Sequence, residues 1–505
     1  MINYTPNNQL NFDNFETPFD QELDSTNRWI VLAKQLPWDD LVRIYSKAMS
    51  KKMGRPGINP RAIIASLIVK HKLRLSDRET VQMIQENMYM QYFAGLSSFR
   101  TKPIFDPSLF VTIRKRIGAE QFDKMTKSLI RKVEGLSDHA DDPTDPNHLN
   151  QKDVQDNEAQ DLTQTPKKGL LKLDATVADQ MIEFPTDLKL LHKSRLETER
   201  IIDYLYKRSS LKVKPRTYRR IAKKEYLRIA KQRRKTKRAI RAAIRKQLGY
   251  VHRNIKTIAN LLSLFPFNPL SNRDIGLYET IKQAYEQQKF MHDNRVNRID
   301  NRIINLYQPY VRPIKRGKDK VKTEFGAKLG VSESNGFSRI NKLSWDAYNE
   351  CNDLIGQVEA YKALYGYYPE MVLADRIYLT AKNRKWLKQR AIKHSGTPIG
   401  RPKKTSYYEK AKFKKTKRKR NHVEGKFGQA KNAYGLTRIR ARKESTSESW
   451  IAAIFFIMNI VRWQKLTPAI LWIIAQIMVL VAIFCPFYKT KLYRVSYQKA
   501  NPLSL

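Results

Sequence analysis

At 505 residues and 59.2 kDa the chain is too long for one ordinary domain of roughly 100 to 200 residues, so at least two folded units are expected. Lys and Arg total 96 against 48 Asp and Glu, a net charge of +48 that a neutral small-molecule substrate does not require and that makes nucleic acid the leading partner. With 41% hydrophobic and 10% aromatic residues the chain can bury real cores, which argues against reading the charge as disorder, and two cysteines, Cys351 and Cys485, are too few for a disulfide framework or a cysteine zinc site. A reducing cytoplasm, in association with DNA, is the expected compartment, since MINYTPNNQLNFDNF lacks the basic-then-apolar pattern of a secretion signal.

Residues 1–27 are polar and acidic and read as a loose arm. Residues 28–135 read as an all-α domain. Asn59 and Pro60 supply an N-cap and a first-turn proline ahead of Ile63, Ile64, Leu67 and Ile68. Ser76 and Glu79 form a capping box for a helix carrying Val81, Ile84 and Met88 towards Gly95, and Asp106 with Pro107 repeats the cap signal before Leu109, Phe110, Ile113 and Ile117. The Ser76–Leu96 helix, with Arg74 and Arg78 at its start, reads either as a recognition helix touching DNA or as one wall of a core.

The acidic, polar stretch 136–168 is too poor in apolar residues to fold and reads as a linker. GLLKLDATVADQMIEF then alternates as a strand does, and Pro185, Thr186 and Asp187 open a helix. From 188 to 308 helical patterns dominate, ending on Ile299, Ile303 and Leu306, and suggest an arm or hairpin. Its run from Lys212 to Lys246, which includes Arg233, Arg234, Lys235, Lys237 and Arg238, is too densely basic to pack inside a core and must face solvent or phosphate, with contact to a DNA backbone favoured over a solvated helix face. A Ser-Asn-Gly turn then splits KTEFGAKLGVSESNGFSRINKLSW into a hairpin, a helix is expected near 346–365, and MVLAD reads as a buried strand ending at Asp375. A further helix should span Glu424, and WIAAIFFIMNIV is apolar on every face, as a fully buried helix is. The apolar stretch 466–488, within a tail 465–505, has the length of a membrane span, but a packed or poorly ordered tail is favoured over membrane contact.

Asp174 and Asp375 are expected at or near the ends of strands, where α/β sheets place their ligand sites. Arg420, Glu424 and Lys431, at offsets of four and seven, share one helical face, whereas His422 should point away. Three carboxylates could hold two Mg²⁺ ions about 4 Å apart for phosphodiester chemistry, with Arg420 and Lys431 neutralising phosphate. From spacing alone a strand-terminal Asp also serves as a turn residue and a helical Glu is usually solvated. Asp179, Glu183 and Asp187 could compete for the metal role, but suit structural roles better.

At these residues the sequence resembles bacterial insertion-sequence transposases of the DDE class. The matching stretches are GRPGINPRAIIASLIVKHKLRLSDRETVQMIQENMYMQYFAGL, LDATVADQMIEFPTDLKLL, FGAKLGVSESNGFSRINKLSWDAYNE, YGYYPEMVLADRIYLTAKNRKWL and RNHVEGKFGQAKNAYGLTRIRARKESTSESWIAAIFFIMNI, in family order. The resemblance implies a ribonuclease-H-like α/β catalytic domain over 169–464, interrupted by the helical insertion 188–308 and preceded by the all-α DNA-binding domain. It implies Asp174, Asp375 and Glu424 as catalytic, metal-holding residues, two Mg²⁺ ions with Mn²⁺ as the alternative, and double-stranded DNA as partner, both element ends and target, bound by a homo-oligomer. Arg420, Glu424 and Lys431 fit the family's Tyr-Arg-Glu-Lys signature, but its tyrosine position is Lys417 here. The activity expected is cleavage and strand transfer at terminal inverted repeats. A derivative that binds DNA without cutting it is the rival reading.

Overall fold

The computed structural model describes residues 22–47, 49, 57–136, 166–315, 323–396 and 407–484. They form two compact units, the first gathering described residues from 1–160, 333–339 and 453–505, the second those from 161–332 and 340–452. This division differs from a linear one with a boundary near 464, because the segment from 453 onwards and a hairpin tip group with the N-terminal helices.

In the first unit the helices α1 (Arg28–Gln35), α2 (Trp38–Lys47), α3 (Pro60–Leu73), α4 (Asp77–Glu86), α5 (Met88–Phe93), α6 (Leu109–Arg116) and α7 (Ala119–Glu134) follow one another. The centre is α3, buried from Pro60 through His71. Asn59 starts it by accepting from the Arg61 amide at 2.9 Å, and Pro60 loses nothing by lacking an amide proton there. Burying Lys70 is tolerable because Asp77 meets its Nζ at 2.9 Å and also takes the Arg114 guanidinium in two bonds of 2.9 and 2.8 Å. The capping box of Ser76 and Glu79 is present, but the helix it opens stops at Glu86. Asn87 is extended and accepts from the Met90 amide, so one polar side chain ends α4 and starts α5, and a single helix to Leu96 does not form. Asp106 likewise holds a turn, accepting from the Ser108 amide at 2.8 Å, and α6 begins only at Leu109.

Residues 451–460 are buried throughout, within α15 (Glu444–Phe484), and Phe456 packs on Phe122 at 5.8 Å between ring centroids. The hairpin tip in this unit turns at Asn335 and Gly336, with φ of 51° and 88°, the left-handed pair that a two-residue turn demands. It is fastened by Ser338 and Asn459, which exchange two hydrogen bonds of 2.9 and 2.8 Å, and by Arg339 on Asp123 at 3.1 Å. Among the described residues no helix is long and apolar enough to cross a membrane. Residues 485–488 of the apolar stretch, most of the 136–168 linker and Cys485 lie outside the described residues.

The second unit is built on a mixed sheet ordered β2 (Arg312–Lys315), β3 (Thr323–Ser334), β1 (Leu170–Asp179), β5 (Met371–Leu373), β6 (Lys393–His394), with β4 (Phe337–Ser344) also paired to β3. β1, β5 and β6 run parallel, and β2 is antiparallel to β3. Helices α12 (Leu354–Tyr365), α13 (Ala381–Gln389) and α14 (Tyr407–Ala433) accompany it. The helix expected from 346 starts later, after a 3-10 turn at Glu350–Asn352.

Between β1 and β2 the chain makes α8 (Asp187–Tyr206), α9 (Arg219–Ala230), α10 (Lys237–Leu262) and α11 (Asn272–Asp293). Leu190 and Leu191 of α8 meet Leu248 and Val251 of α10, and further along Ile201 and Leu205 meet Ile258 and Leu261, so these two helices run parallel. α11 returns antiparallel, placing Tyr285 in the first of these clusters and Tyr278 in the second. Helix does not continue to 308. In DNRVNRIDNR, Arg295 and Asn301 adopt φ of 56° and 51°, and Asn305 turns the chain by accepting from the Tyr307 amide at 2.8 Å. Ile303 and Leu306 are buried, yet as a packed loop. Apolar spacing alone does not separate the two cases.

Candidate active site

Asp174 lies inside β1 rather than at its end, with five more strand residues, Ala175 to Asp179, following it. Its position is nonetheless two residues beyond the last pairing of β1 with β5, Lys172 with Leu373. Asp375 is two residues beyond that pairing on the other strand, so the two aspartates leave the parallel pair side by side. Asp375 is exposed, and its Oδ1 accepts from the Arg376 amide at 2.8 Å, capping a 3-10 turn over Arg376–Tyr378.

α14 packs on both β1 and β5. Val423, Phe427 and Ala430 are buried, which turns Glu424 outwards and leaves its side chain 53% exposed. Arg420, one turn earlier, joins the elements: its Nη1 stands 3.4 Å from Asp174 Oδ2 and its Nη2 donates to Glu424 Oε1 at 3.0 Å. Two of the three expected carboxylates thus share one guanidinium. Burial pushes the Asp174 carboxyl above the ordinary carboxylate range; the Ala175 amide and Arg420 oppose the shift, while Glu350 and Asp375 add to it.

Glu350 is the acidic group that sequence reasoning missed. It lies on the 3-10 turn Glu350–Asn352, which packs against the turn following Asp375, and Lys328 holds it at 3.0 Å. Tyr378 is fully buried nearby, and burial with the charges of Glu350 and Asp174 keeps its phenol neutral. Glu350 closes the matching stretch FGAKLGVSESNGFSRINKLSWDAYNE, but its spacing gives no sign that it faces Asp174.

Other expected site residues are placed differently. Lys431 meets Glu324 of β3 at 3.1 Å, a partner no sequence spacing indicated. Glu183 is taken by Lys189 and Lys193, whose bonds hold its carboxyl down to about 2, and Asp187 pairs with Arg302. His422 is exposed. Arg233, Arg234, Lys235, Lys237 and Arg238 are all exposed around the start of α10. Arg74 ends α3 with φ of 59° and Arg78 is exposed in the first turn of α4; both belong to the first unit. The side chain of Lys417 lies outside the described residues.

Asp174, Asp375 and Glu424 offer hard oxygen donors, the chemistry Mg²⁺ prefers. Among the described residues, however, no three His, Cys, Asp or Glu side chains stand close enough to hold a metal ion as they are. The donor set fits such an ion in kind; Arg420 occupies it in this conformation.

Two transposase families match the chain. Residues 372–461 match the family described as Transposase DDE domain, a span that includes Asp375 and Glu424 but not Asp174. Residues 17–116 match the family described as Transposase domain (DUF772). A similar protein of Rhizobium meliloti, named only as an uncharacterized protein ORF8 in the nfe locus, is 28% identical over 118 residues, 23% of this chain and 56% of that protein. The chain therefore spans little more than half the length of that relative. No solved structure matches. The two family matches bear out the resemblance read from the sequence and indicate an insertion-sequence transposase.

Proposed function

We propose that the transposase indicated by these matches is a Mg²⁺-dependent enzyme that binds the terminal inverted repeats of its element, cuts to expose 3′-OH ends and joins those ends to target DNA. The observation that carries this reading is the Arg420 link: a cation already gathers Asp174 and Glu424 from a strand and a helix, beside the aspartate that shares Asp174's register. A ribonuclease-H-like catalytic domain with a helical insertion is supported by the parallel β1, β5 and β6, the antiparallel β2 and β3, and the helices between β1 and β2.

In this reading Asp174, Asp375 and Glu424 would hold two Mg²⁺ ions, with Mn²⁺ as the alternative. Bound there, the ions would supply Lewis acids able to activate water or a 3′-OH and to stabilise the leaving oxygen. Arg420 then exchanges its carboxylates for a phosphate oxygen, keeping its charge satisfied. Tyr378, fully buried and neutral, lies near enough to feel the Asp174 charge and adds no charge of its own to the site. The exposed cations from Arg233 to Arg238 bind the flanking backbone, and residues 28–135 read the repeat. Incubating the full chain with DNA carrying the ends of its own element, with and without Mg²⁺, tests the proposal. Nicks that leave 3′-OH ends only in the presence of the ion are expected, and a chain that binds those ends but never cuts them would support a non-catalytic derivative instead.

A further inference from the structure

The helical block has a free end. α8 starts beside the sheet and, at 20 residues, carries the chain about 30 Å to Tyr206. α10 reaches the same end, and the loop 263–271 joins it to α11 there. That loop is pinned on both sides. Phe265 packs inwards on the cluster of Ile201, Leu205 and Leu261; Tyr204 donates to the Pro269 carbonyl at 3.1 Å; and Asn268 accepts from the Leu270 amide at 3.0 Å. Pro266 and Pro269 stiffen the backbone between these ties. Yet Phe267 is 85% exposed and Leu264 is 50% exposed.

A stiff loop that turns one phenylalanine inwards and holds the next one out forgoes about 2 kcal/mol of burial unless something else covers it. The charges around it limit what that can be. Arg208 lies over the Tyr204 ring at 3.8 Å, and so is held beside the same loop. Lys207 and Lys212 are exposed in the segment leaving α8, and among the described residues no carboxylate pairs with any of these three cations. A second copy of a chain carrying +48 would be repelled by this collar, whereas a polyanion with apolar layers inside it suits both features.

We infer that the loop 263–271 is a wedge for duplex DNA: Phe267, backed by Leu264, enters between base pairs while Lys207, Arg208 and Lys212 hold the phosphates. The inference rests on the DNA-processing reading above. Stacking tolerates every base, so insertion does not need the element's own ends.

The test uses the full chain and a short mixed-sequence duplex carrying 2-aminopurine, whose fluorescence rises on unstacking, at one position at a time. Binding is expected to raise the signal at one or two neighbouring positions. Phe267→Ala should abolish the rise and weaken binding about tenfold, while Phe267→Trp should retain both; neither disturbs a core, since the ring is outside it. Binding by the wild type without any rise, or an equal rise with Phe267→Ala, overturns the wedge and leaves the DNA reading standing. Failure of the wild type to bind the duplex at all removes the DNA reading itself. Loss of binding to phosphatidylserine vesicles, or of a dimer in solution, on Phe267→Ala with the rise intact assigns the tip to another occupant and also overturns the inference.

Discussion

Asp174 and Asp375 stand 201 residues apart in the chain, the same offset that pairs Leu170 with Met371 in the parallel strands that carry them. The whole helical block lies within that interval, yet the register of two short strand segments sets both carboxylates at one edge. Asp174 responds to the arrangement: its carboxyl is raised by burial first, and by Glu350 and Asp375 besides.

A carboxyl whose folded pKa is raised lowers stability once pH exceeds its ordinary range, and that loss vanishes when both folded and unfolded forms are protonated. Asp174→Asn should therefore raise the melting temperature of the metal-free protein at neutral pH and change it less in acid. Differential scanning calorimetry at the two pH values reads the effect, and a destabilised variant at neutral pH would show that the Arg420 contact outweighs burial.

His71 makes the opposite use of burial. It is 4% exposed in α3, and burial, then Lys70 and Arg114, lower its pKa from 6.5 to about 3, against a smaller upward pull from Asp77. The unfolded chain then binds a proton that the folded one does not, so stability falls as pH drops through this window, by up to about 1.4 kcal/mol per pH unit. Chemical denaturation of the His71→Gln variant should show a shallower decline between about pH 4 and 6; slopes identical to wild type would mean that His71 is protonated in the fold.

Asp77 serves Lys70 and Arg114, whose side chains are 1% and 8% exposed. Asp77→Ala leaves both charges buried without it and should cost about 3 to 5 kcal/mol. Asp123 serves one buried cation, Arg339, beside the more exposed Lys127, and should cost less when replaced by Ala. Equal losses in urea denaturation would remove the distinction.

On the proposed function, the exposed run at the start of α10 should bear on DNA affinity rather than on folding. Replacing Arg233, Arg234, Lys235, Lys237 and Arg238 with Gln should weaken binding to any duplex and flatten its salt dependence by about 0.9 per lost phosphate contact in log–log slope. An unchanged slope would mark these side chains as solvated charge.

Features set by neighbouring residues were legible in the sequence: the Asn59 cap, the Ser76 and Glu79 box, the Asn335 and Gly336 turn, and the strand carrying Asp174. What was not legible depends on distant partners. Apolar spacing at Ile303 and Leu306 reads as helix, but the chain there is a loop whose two apolar side chains are buried against α10 and α11. Arg420 and Glu424 are visible as an i, i+4 pair, but the reach to Asp174 spans 246 residues, and Glu324 claims Lys431 from 107 residues away. The segment around Phe456 reads correctly as buried, though nothing in its own residues says that Phe122 covers it.

The central claim, that Asp174, Asp375 and Glu424 perform metal-dependent cleavage while other residues bind DNA, is tested most directly by Asp375→Asn. The side chain is exposed, so the change removes one negative charge without disturbing a core. With Mg²⁺ and DNA carrying the element's own ends, the variant should bind with nearly wild-type affinity in a mobility-shift assay and yield no nicked product. Cleavage at the wild-type rate by this variant would contradict the account.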